Sequence, residues 1–234
     1  MRTLLVRGML GAVTIAFMAA APVEAQTHKL SLNFGVFSPQ GEDTRIDDDV
    51  VVENLGLFAF TVDDFRGGSV EAGWLVETGD FLEVGVGVGF YQKTVLSVYN
   101  DFINDDGTEI PQDFKLRVTP VTASVRFFPF SLDQPVQPYG GVGIGFFSWR
   151  YSEVGEFIDF NTFDVFRDRF VATGTDVGPV YLAGIRFQMN ETFGIGGEVR
   201  YQDVAGVVGI DQGFLDERID LGGLTSSLTV SIGF

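Results

Sequence analysis

The chain contains no cysteine, one histidine and four methionines among 234 residues. Without cysteine there is no disulfide framework, no thiolate metal site and no cysteine for a lipid anchor. A lone histidine, His28, leaves no pair from which a Ser-His site with a second imidazole can be assembled. Basic residues are also scarce, 15 against 32 acidic ones for a formal charge of −17. A surface so acidic repels nucleic acid, whose binding demands basic patches. Long apolar runs are missing as well: nothing after the first 25 residues approaches the roughly 20 apolar residues of a membrane helix.

What is present is distinctive at the start of the chain. Arg2 and Arg7 precede an apolar run from Met9 to Ala21, and Val23-Glu24-Ala25 offers small-residue cleavage geometry, which predicts a signal peptide over residues 1–25 and a single mature domain over 26–234. Cleavage leaves 13 basic and 31 acidic residues, a formal charge of −18. Thirty glycines and 24 phenylalanines argue against a helical bundle, because both are mediocre helix formers.

Alternation of apolar and polar residues predicts eight strands. Leu30, Leu32, Phe34 and Val36 mark the first; Val70, Ala72, Trp74 and Val76 the second; Leu82, Val84, Val86, Val88 and Phe90 the third. The fourth alternates cleanly only after Pro120, through Val121, Ala123, Val125 and Phe127, and its confused phase before Pro120 predicts a bulge there. Val142, Ile144 and Phe146 mark the fifth, Tyr181 to Phe187 the sixth, Ile195 to Tyr201 the seventh, and Leu228 to Phe234 the eighth. The connections alternate in length: long ones at Pro39–Gly68, Lys93–Gln112, Arg150–Gly174 and Asp203–Leu221, short or moderate ones at Gly79–Asp80, Pro129–Pro138 and Met189–Thr192. The expected fold is therefore all-β, an antiparallel up-and-down barrel with tight turns at one end and long loops at the other.

Period-two patterning alone fits a soluble barrel too, with its apolar face inward. The polar face decides the orientation. It is largely glycine and serine, which suit a crowded interior, while the apolar face carries valine, leucine and isoleucine between two groups of aromatics. Phe81, Phe127, Phe128, Phe187, Phe193 and Phe234 lie near the short turns, and Phe90, Tyr91, Phe146, Trp149 and Tyr201 near the long loops. Two such belts match two lipid–water interfaces, so a transmembrane barrel is expected. On that orientation Glu71, Glu77, Glu83 and Glu198 share the lumen with Arg126, Arg186 and Arg200, and must pair, since unpaired buried charge costs several kcal/mol or more. The expected lumen is a charged plug.

The segment Val118-Thr119-Pro120-Val121-Thr122-Ala123-Ser124-Val125-Arg126-Phe127-Phe128, the run from Pro138 to Gly145, the hairpin from Gly184 to Tyr201 and the aromatic Phe234 resemble, in order and spacing, the eight-stranded outer-membrane barrels of the OmpA-like, OmpX-like, OmpW-like and opacity types. The resemblance spans the mature chain and implies the cell outer membrane, outer-membrane lipid and lipopolysaccharide as surroundings, and Phe234 as an insertion signal read by the barrel-assembly machinery. It implies no cofactor. No peptidoglycan-binding domain is expected beyond the barrel, and a monomer is expected.

The expected role is structural or surface-interacting, with a narrow OmpW-like channel for small apolar solutes as the alternative. A lipid-modifying enzyme is disfavoured, because His28 falls at the start of the first strand, away from the outer rim. The four long loops hold 22 of the 31 mature acidic residues. Asp47-Asp48-Asp49 and Asp101, Asp105, Asp106 and Glu109 are candidate oxygen ligands for divalent cations, but calcium-loop spacing is absent and solvated acidic loops are the preferred account, so no metal is expected. Val50, Val51, Leu55, Leu57, Phe58 and Phe60 are unusual for an exposed loop: this segment either extends the first hairpin or packs over the barrel mouth.

Overall fold

A computed structural model describes residues 27–209 and 213–234; the expected signal peptide lies outside them. Eight strands close into one barrel. They are β1 (His28–Pro39), β2 (Gly67–Glu77), β3 (Leu82–Ile103), β4 (Glu109–Phe127), β5 (Val136–Ile158), β6 (Val165–Gln188), β7 (Phe193–Gln202) and β10 (Gly223–Gly233). All neighbours are antiparallel, and β1 closes the ring on β10. Among the described residues no helix is long and apolar enough to cross a membrane, a statement that does not bear on strands.

The register puts the expected parities where membrane physics wants them. Leu30, Phe34, Val86, Val88, Val142 and Ile195 are exposed on the outer wall, while Ser31, Asn33, Glu83, Arg126, Arg186 and Glu198 are buried inside. The β2–β3 turn is tight because Gly79 adopts a φ of 71°, a region costly for residues with a Cβ.

Several expectations need correcting. The bulge at Pro120 does not exist: β4 keeps one register against β5 from Gln112 to Phe127, and Val88–Val121 and Tyr91–Val118 share one register against β3. The β3–β4 ladder shifts only between Val98 and Ile103. What changes near Pro120 is the chemistry of the two faces. Below it Val121 and Val125 point outward and Thr122 and Arg126 inward; above it Lys115 and Arg117 point outward while Phe114, Leu116 and Val118 are buried inside. The strand has left the lipid, its outer face now meets water, and the apolar parity becomes the inner one.

Three expected belt residues lie inside, two of them, Tyr91 and Trp149, because of the same inversion. Tyr91 (4% exposed) and Trp149 (3%) are core side chains above the membrane, and Phe128 (0%) packs with Tyr139 and Leu182 at the short-turn end. Phe90 and Phe146 do stand on the outer wall. Two of the expected long loops are mostly strand: β3–β4 and β5–β6 pair up to Ile103–Glu109 and Ile158–Val165. With about 9–11 residues needed to cross a bilayer, the 22–24 residues of β3, β5 and β6 build a wall well above the membrane on one side of the barrel.

The other side is filled by the first and last long loops. The helix α1 (Val50–Leu55) follows Asp49, whose side chain caps it by accepting from the Val51 N–H, and a two-stranded hairpin of β8 (Ala205–Val207) and β9 (Arg218–Asp220) lies in the last loop. Of the two alternatives for the Val50–Phe65 segment, it packs over the barrel mouth. Val50, Val51, Phe58, Val62 and Phe65 join Phe114, Phe147, Tyr151, Ile219 and Leu221 in one buried apolar cluster. The apolar residues of this loop are there because they stopper a water-facing opening.

Candidate functional site

The lumen presents two layers. Within the membrane-spanning part, β3, β4, β6, β7 and β2 bring three guanidiniums against three carboxylates, in a chain that rises from Glu83, Arg126 and Arg186 at the short-turn end to Glu71 opposite Gly89. Arg126 donates to Glu83 Oε1 (3.1 Å) and to Glu198 Oε2 (2.9 Å). Arg186 donates through Nη2 to both oxygens of Glu83, at 2.9 and 2.8 Å. Arg200 donates to Glu198 Oε1 (2.8 Å) and to Glu71. Side chains at equal height on neighbouring strands meet because of the register: Glu83 faces Arg126 across β3–β4, and β7 carries Glu198 and Arg200 two residues apart on one face.

Glycine makes room for this layer. A Cβ on Gly184 would lie 2.5 Å from the Tyr139 hydroxyl, and one on Gly87 would lie 2.9 Å from Glu71 Oε1. Tyr139 uses that space to donate to Glu198 Oε2 at 3.0 Å. The guanidinium carbon of Arg186 lies 5.1 Å from the Phe128 ring centre, and that of Arg126 5.4 Å from the Tyr139 ring centre, both within cation–π range.

Six of the seven lumen residues singled out from sequence form this connected cluster. The seventh, Glu77, is separate: it pairs with Lys29 at 2.5 Å, near the short-turn end. Lys29 and Tyr139 were missed by the sequence reading. Each lies on the inward parity of its strand, Lys29 two residues before Ser31 and Tyr139 two before Gly141, so strict period-two counting would have included them.

The upper layer is the apolar cap, and it carries one polar inclusion. Asn54 of α1 donates to Glu153 Oε1 (2.7 Å) and reaches the Tyr151 hydroxyl at 3.3 Å. Glu153 is buried, takes part in none of the ion pairs among the described residues, and lies above the membrane. Burial pushes its carboxyl up to about 7, against the lowering effect of its Asn54 and Tyr151 hydrogen bonds. The last loop is tied to the first by Arg45, which pairs with Asp49 and donates to the Asp220 carbonyl at 2.8 Å.

Between the layers lies a cavity of about 50 Å³ lined by Asn33, Glu71, Gly89, Tyr91, Pro120 and Arg200 among others, room for on the order of a few waters. It adjoins the one interruption of the β3–β4 ladder inside the membrane, at Gly89–Phe90 opposite Thr119–Pro120, where Pro120 has no N–H to give. At the opposite end of the barrel, the ring of His28 stacks on that of Phe234 with centroids 6.0 Å apart, and the Phe234 N–H donates to the His28 carbonyl at 2.9 Å.

A model of the outer membrane protein beta-barrel domain family matches residues 9–233. The chain belongs to that family. It is thus an outer-membrane β-barrel protein, and the lipid-facing wall described above is its membrane-spanning surface. Among solved structures, the barrel is similar to the outer membrane protein OprG from Pseudomonas aeruginosa, at a TM-score of 0.55 and 10% identity, covering 90% of this chain and 96% of that one. It is also similar to a major outer membrane protein from Thermus thermophilus, at a TM-score of 0.50 and 11% identity, covering 90% of this chain and 100% of that one. At such identities the likeness is one of fold. The sequence of this chain finds no match among the curated proteins.

Proposed function

We propose that this barrel is a closed, non-enzymatic outer-membrane protein whose role is structural and surface-interacting: a membrane anchor that holds a rigid acidic head above the outer leaflet. The observation that carries this reading is the double obstruction of the axis. Three arginines and three glutamates, joined in one unbroken chain of ion pairs, cross the lumen within the membrane-spanning part, and α1 with the β8–β9 hairpin fills the mouth above them with apolar side chains. Ions would have to displace both. An eight-stranded barrel leaves an interior only wide enough for its own side chains. Recordings on the refolded protein in planar bilayers are expected to show no large, steady conductance, and such a conductance in the wild type would overturn the reading.

One observation favours a second reading, a narrow sideways path for small apolar solutes. The cavity beside Pro120 is bounded by Val70 and Phe90, which stand on the lipid-facing wall, as well as by lumen residues. In this reading the interrupted β3–β4 seam, not the axis, is the portal. Liposome-swelling with small apolar solutes separates the two, since only the second predicts uptake, and only the second predicts that filling the cavity by Gly89→Val abolishes it.

A further inference from the structure

The cap over the barrel mouth is a single body assembled from the first and last long loops. The Arg218 N–H donates to the Asp48 carbonyl and the Ile46 N–H to Asp220 Oδ2, both at 3.1 Å, and the Asp220 N–H donates to Asp49 Oδ1 at 3.3 Å. Its joints to the barrel fall beside strand ends, at Gln40-Gly41, Arg66-Gly67, Asp203-Val204 and Gly222-Gly223, the kind of position that absorbs a hinge movement. Backbone bonds at 2.9 Å tie the Ala59 N–H to the Val98 carbonyl and the Asn100 N–H to the Leu57 carbonyl along one side. Among the described residues, the helix α1 itself has one polar contact with the wall, through Asn54, which meets Glu153 and Tyr151 of β5.

That contact is complete in only one protonation state. Asn54 is fully buried and Glu153 is 3% exposed. Asn54 Nδ2 donates to both partners, but its Oδ1 is buried without a donor. A carboxamide and a carboxyl satisfy each other when the carboxyl carries a proton, an N–H bond running one way and an O–H bond the other. An ionised Glu153 has no proton to return, and leaves an orphan acceptor beside a buried charge, both of them costly. The surroundings supply no counter-charge. β4 and β6 set Phe114 and Phe170 opposite Glu153, and Phe214 of the last loop packs on Tyr151. The titratable groups around it are acids: Tyr151 on its own strand, Tyr99 of β3, and Asp49 at the start of α1 beside Tyr151, while Glu53 of α1 is exposed to solvent. Of the cap's arginines, Arg45 is paired with Asp49, and Arg66 and Arg218 join no ion pair among the described residues. Burial also pushes the Asp220 carboxyl above its ordinary value, against the lowering effect of the Gly222 N–H and Arg45.

We propose that α1 and the β8–β9 hairpin form a proton-latched lid: Glu153 with its proton fastens Asn54 and closes the mouth, and loss of that proton lets the lid lift about its joints. Lifting uncovers the apolar mouth and, beneath it, the lumen cavity, since Phe37, Tyr91 and Val118 belong both to the buried cluster under the cap and to the cavity wall. With the lid raised, Glu153 meets water and ionises freely. Its carboxyl, ordinarily at 4.5, is pushed to about 7 by burial in the closed cap, so closure is strongest below the lower value and weakens progressively up to the higher one. The Arg–Glu layer lies below the lid and keeps its ion pairs in either state, so the proposal is independent of whether the lumen conducts.

The chain has no cysteine, so a single introduced thiol reports opening. Val51→Cys places one under the lid on α1, and Ser31→Cys places one in the lumen as a control; both positions are buried. The full mature protein in non-ionic detergent is labelled with dithiodipyridine at concentrations where the rate is first order in reagent, and each rate is divided by that of a short unstructured peptide thiol at the same pH. From pH 5 to pH 8 the corrected rate at Val51→Cys is expected to rise on the order of 50-fold, following the fraction of lid open. Added to Val51→Cys, Glu153→Gln is neutral at every pH and carries an amide N–H for Asn54 Oδ1; it is expected to hold the corrected rate at the slow value throughout. Ser31→Cys is expected to stay slow at both pH values, which separates a lifted lid from an unfolded barrel. A corrected rate at Val51→Cys that does not change with pH, a rise that persists with Glu153→Gln, or an equal rise at Ser31→Cys overturns the proposal, and the first and last of these are read without any change at Glu153.

Discussion

The ion-pair layer of the lumen makes a sharp prediction at Glu83. Its carboxylate is fully buried and accepts from both Arg126 and Arg186. After Glu83→Gln, Arg126 keeps Glu198, but Arg186 loses the only carboxylate it touches among the described residues and retains a neutral amide oxygen and the Phe128 ring face. An uncompensated buried cation of this kind costs about 3–5 kcal/mol. With a urea slope on the order of 2 kcal/mol per molar, the unfolding midpoint in detergent micelles drops by about 1.5–2.5 M. Two comparisons isolate the cause. Glu191→Gln removes an exposed turn carboxylate that joins no ion pair among the described residues, and is expected to cost no more than about 1 kcal/mol. Glu83→Gln combined with Arg186→Met removes the stranded charge as well, and is expected to recover at least half of the loss through a favourable coupling between the two sites. Equal midpoints for Glu83→Gln and Glu191→Gln, or a double variant no more stable than Glu83→Gln, would refute the assignment of Glu83 as counter-charge to Arg186.

Three further outcomes are expected. Glu153 holds a proton in the folded cap up to about pH 7, whereas an ordinary glutamate loses it near 4.5; the folded state thus binds the extra proton between these values, and the cap weakens as pH rises through that window, by a total of about 3 kcal/mol. Amide exchange of Val50–Leu55, corrected for intrinsic rates, should therefore quicken from pH 5 to pH 8 in wild type and stay flat in Glu153→Gln. Trp149 is clamped between Gly174 and Gly206, where an added Cβ would lie 2.7 and 2.5 Å from its ring; Gly206→Val should push the β8–β9 hairpin off, costing about 1–3 kcal/mol, and in a Trp74→Phe background red-shift the tryptophan emission, an unshifted spectrum arguing against the clamp. Deleting Phe234, the proposed insertion signal, should lower the outer-membrane level of the protein in cells while leaving the unfolding free energy of the purified, refolded barrel within about 1 kcal/mol of wild type; an unchanged level in cells rejects that role.

Much of this architecture was legible because period-two alternation reports two environments at once. Leu82 to Phe90 against Glu83 to Tyr91 fixes the pleat of β3, and the same counting on β4, β6 and β7 places Arg126, Arg186, Glu198 and Arg200 on the inner face. Once four strands put charge inside a narrow tube, mutual pairing follows from desolvation alone. Which carboxylate meets which guanidinium did not follow, because it depends on the stagger between strands, and Glu77 went to Lys29 for that reason.

The bulge expected at Pro120 and the belt positions expected for Tyr91 and Trp149 share one physical cause. Alternation is a contrast between faces, and its sign depends on the solvent outside. In the membrane the outer neighbour is hydrocarbon and the apolar parity points out; above it the neighbour is water and the apolar parity points in, though no side chain has changed direction relative to the sheet. At Thr119 and Pro120 the two regimes meet, and the crossover looks like a slipped phase. Tyr91 and Trp149 lie past that crossover, so an aromatic reading as belt on the lower rule becomes core on the upper one. The inversion carries information in its own right. Its height on each strand marks where the lipid ends, and on β4 and β5 it falls between Val121 and Arg117 and between Phe146 and Arg150, which the register sets at one level, Val121 opposite Phe146 and Arg117 opposite Arg150.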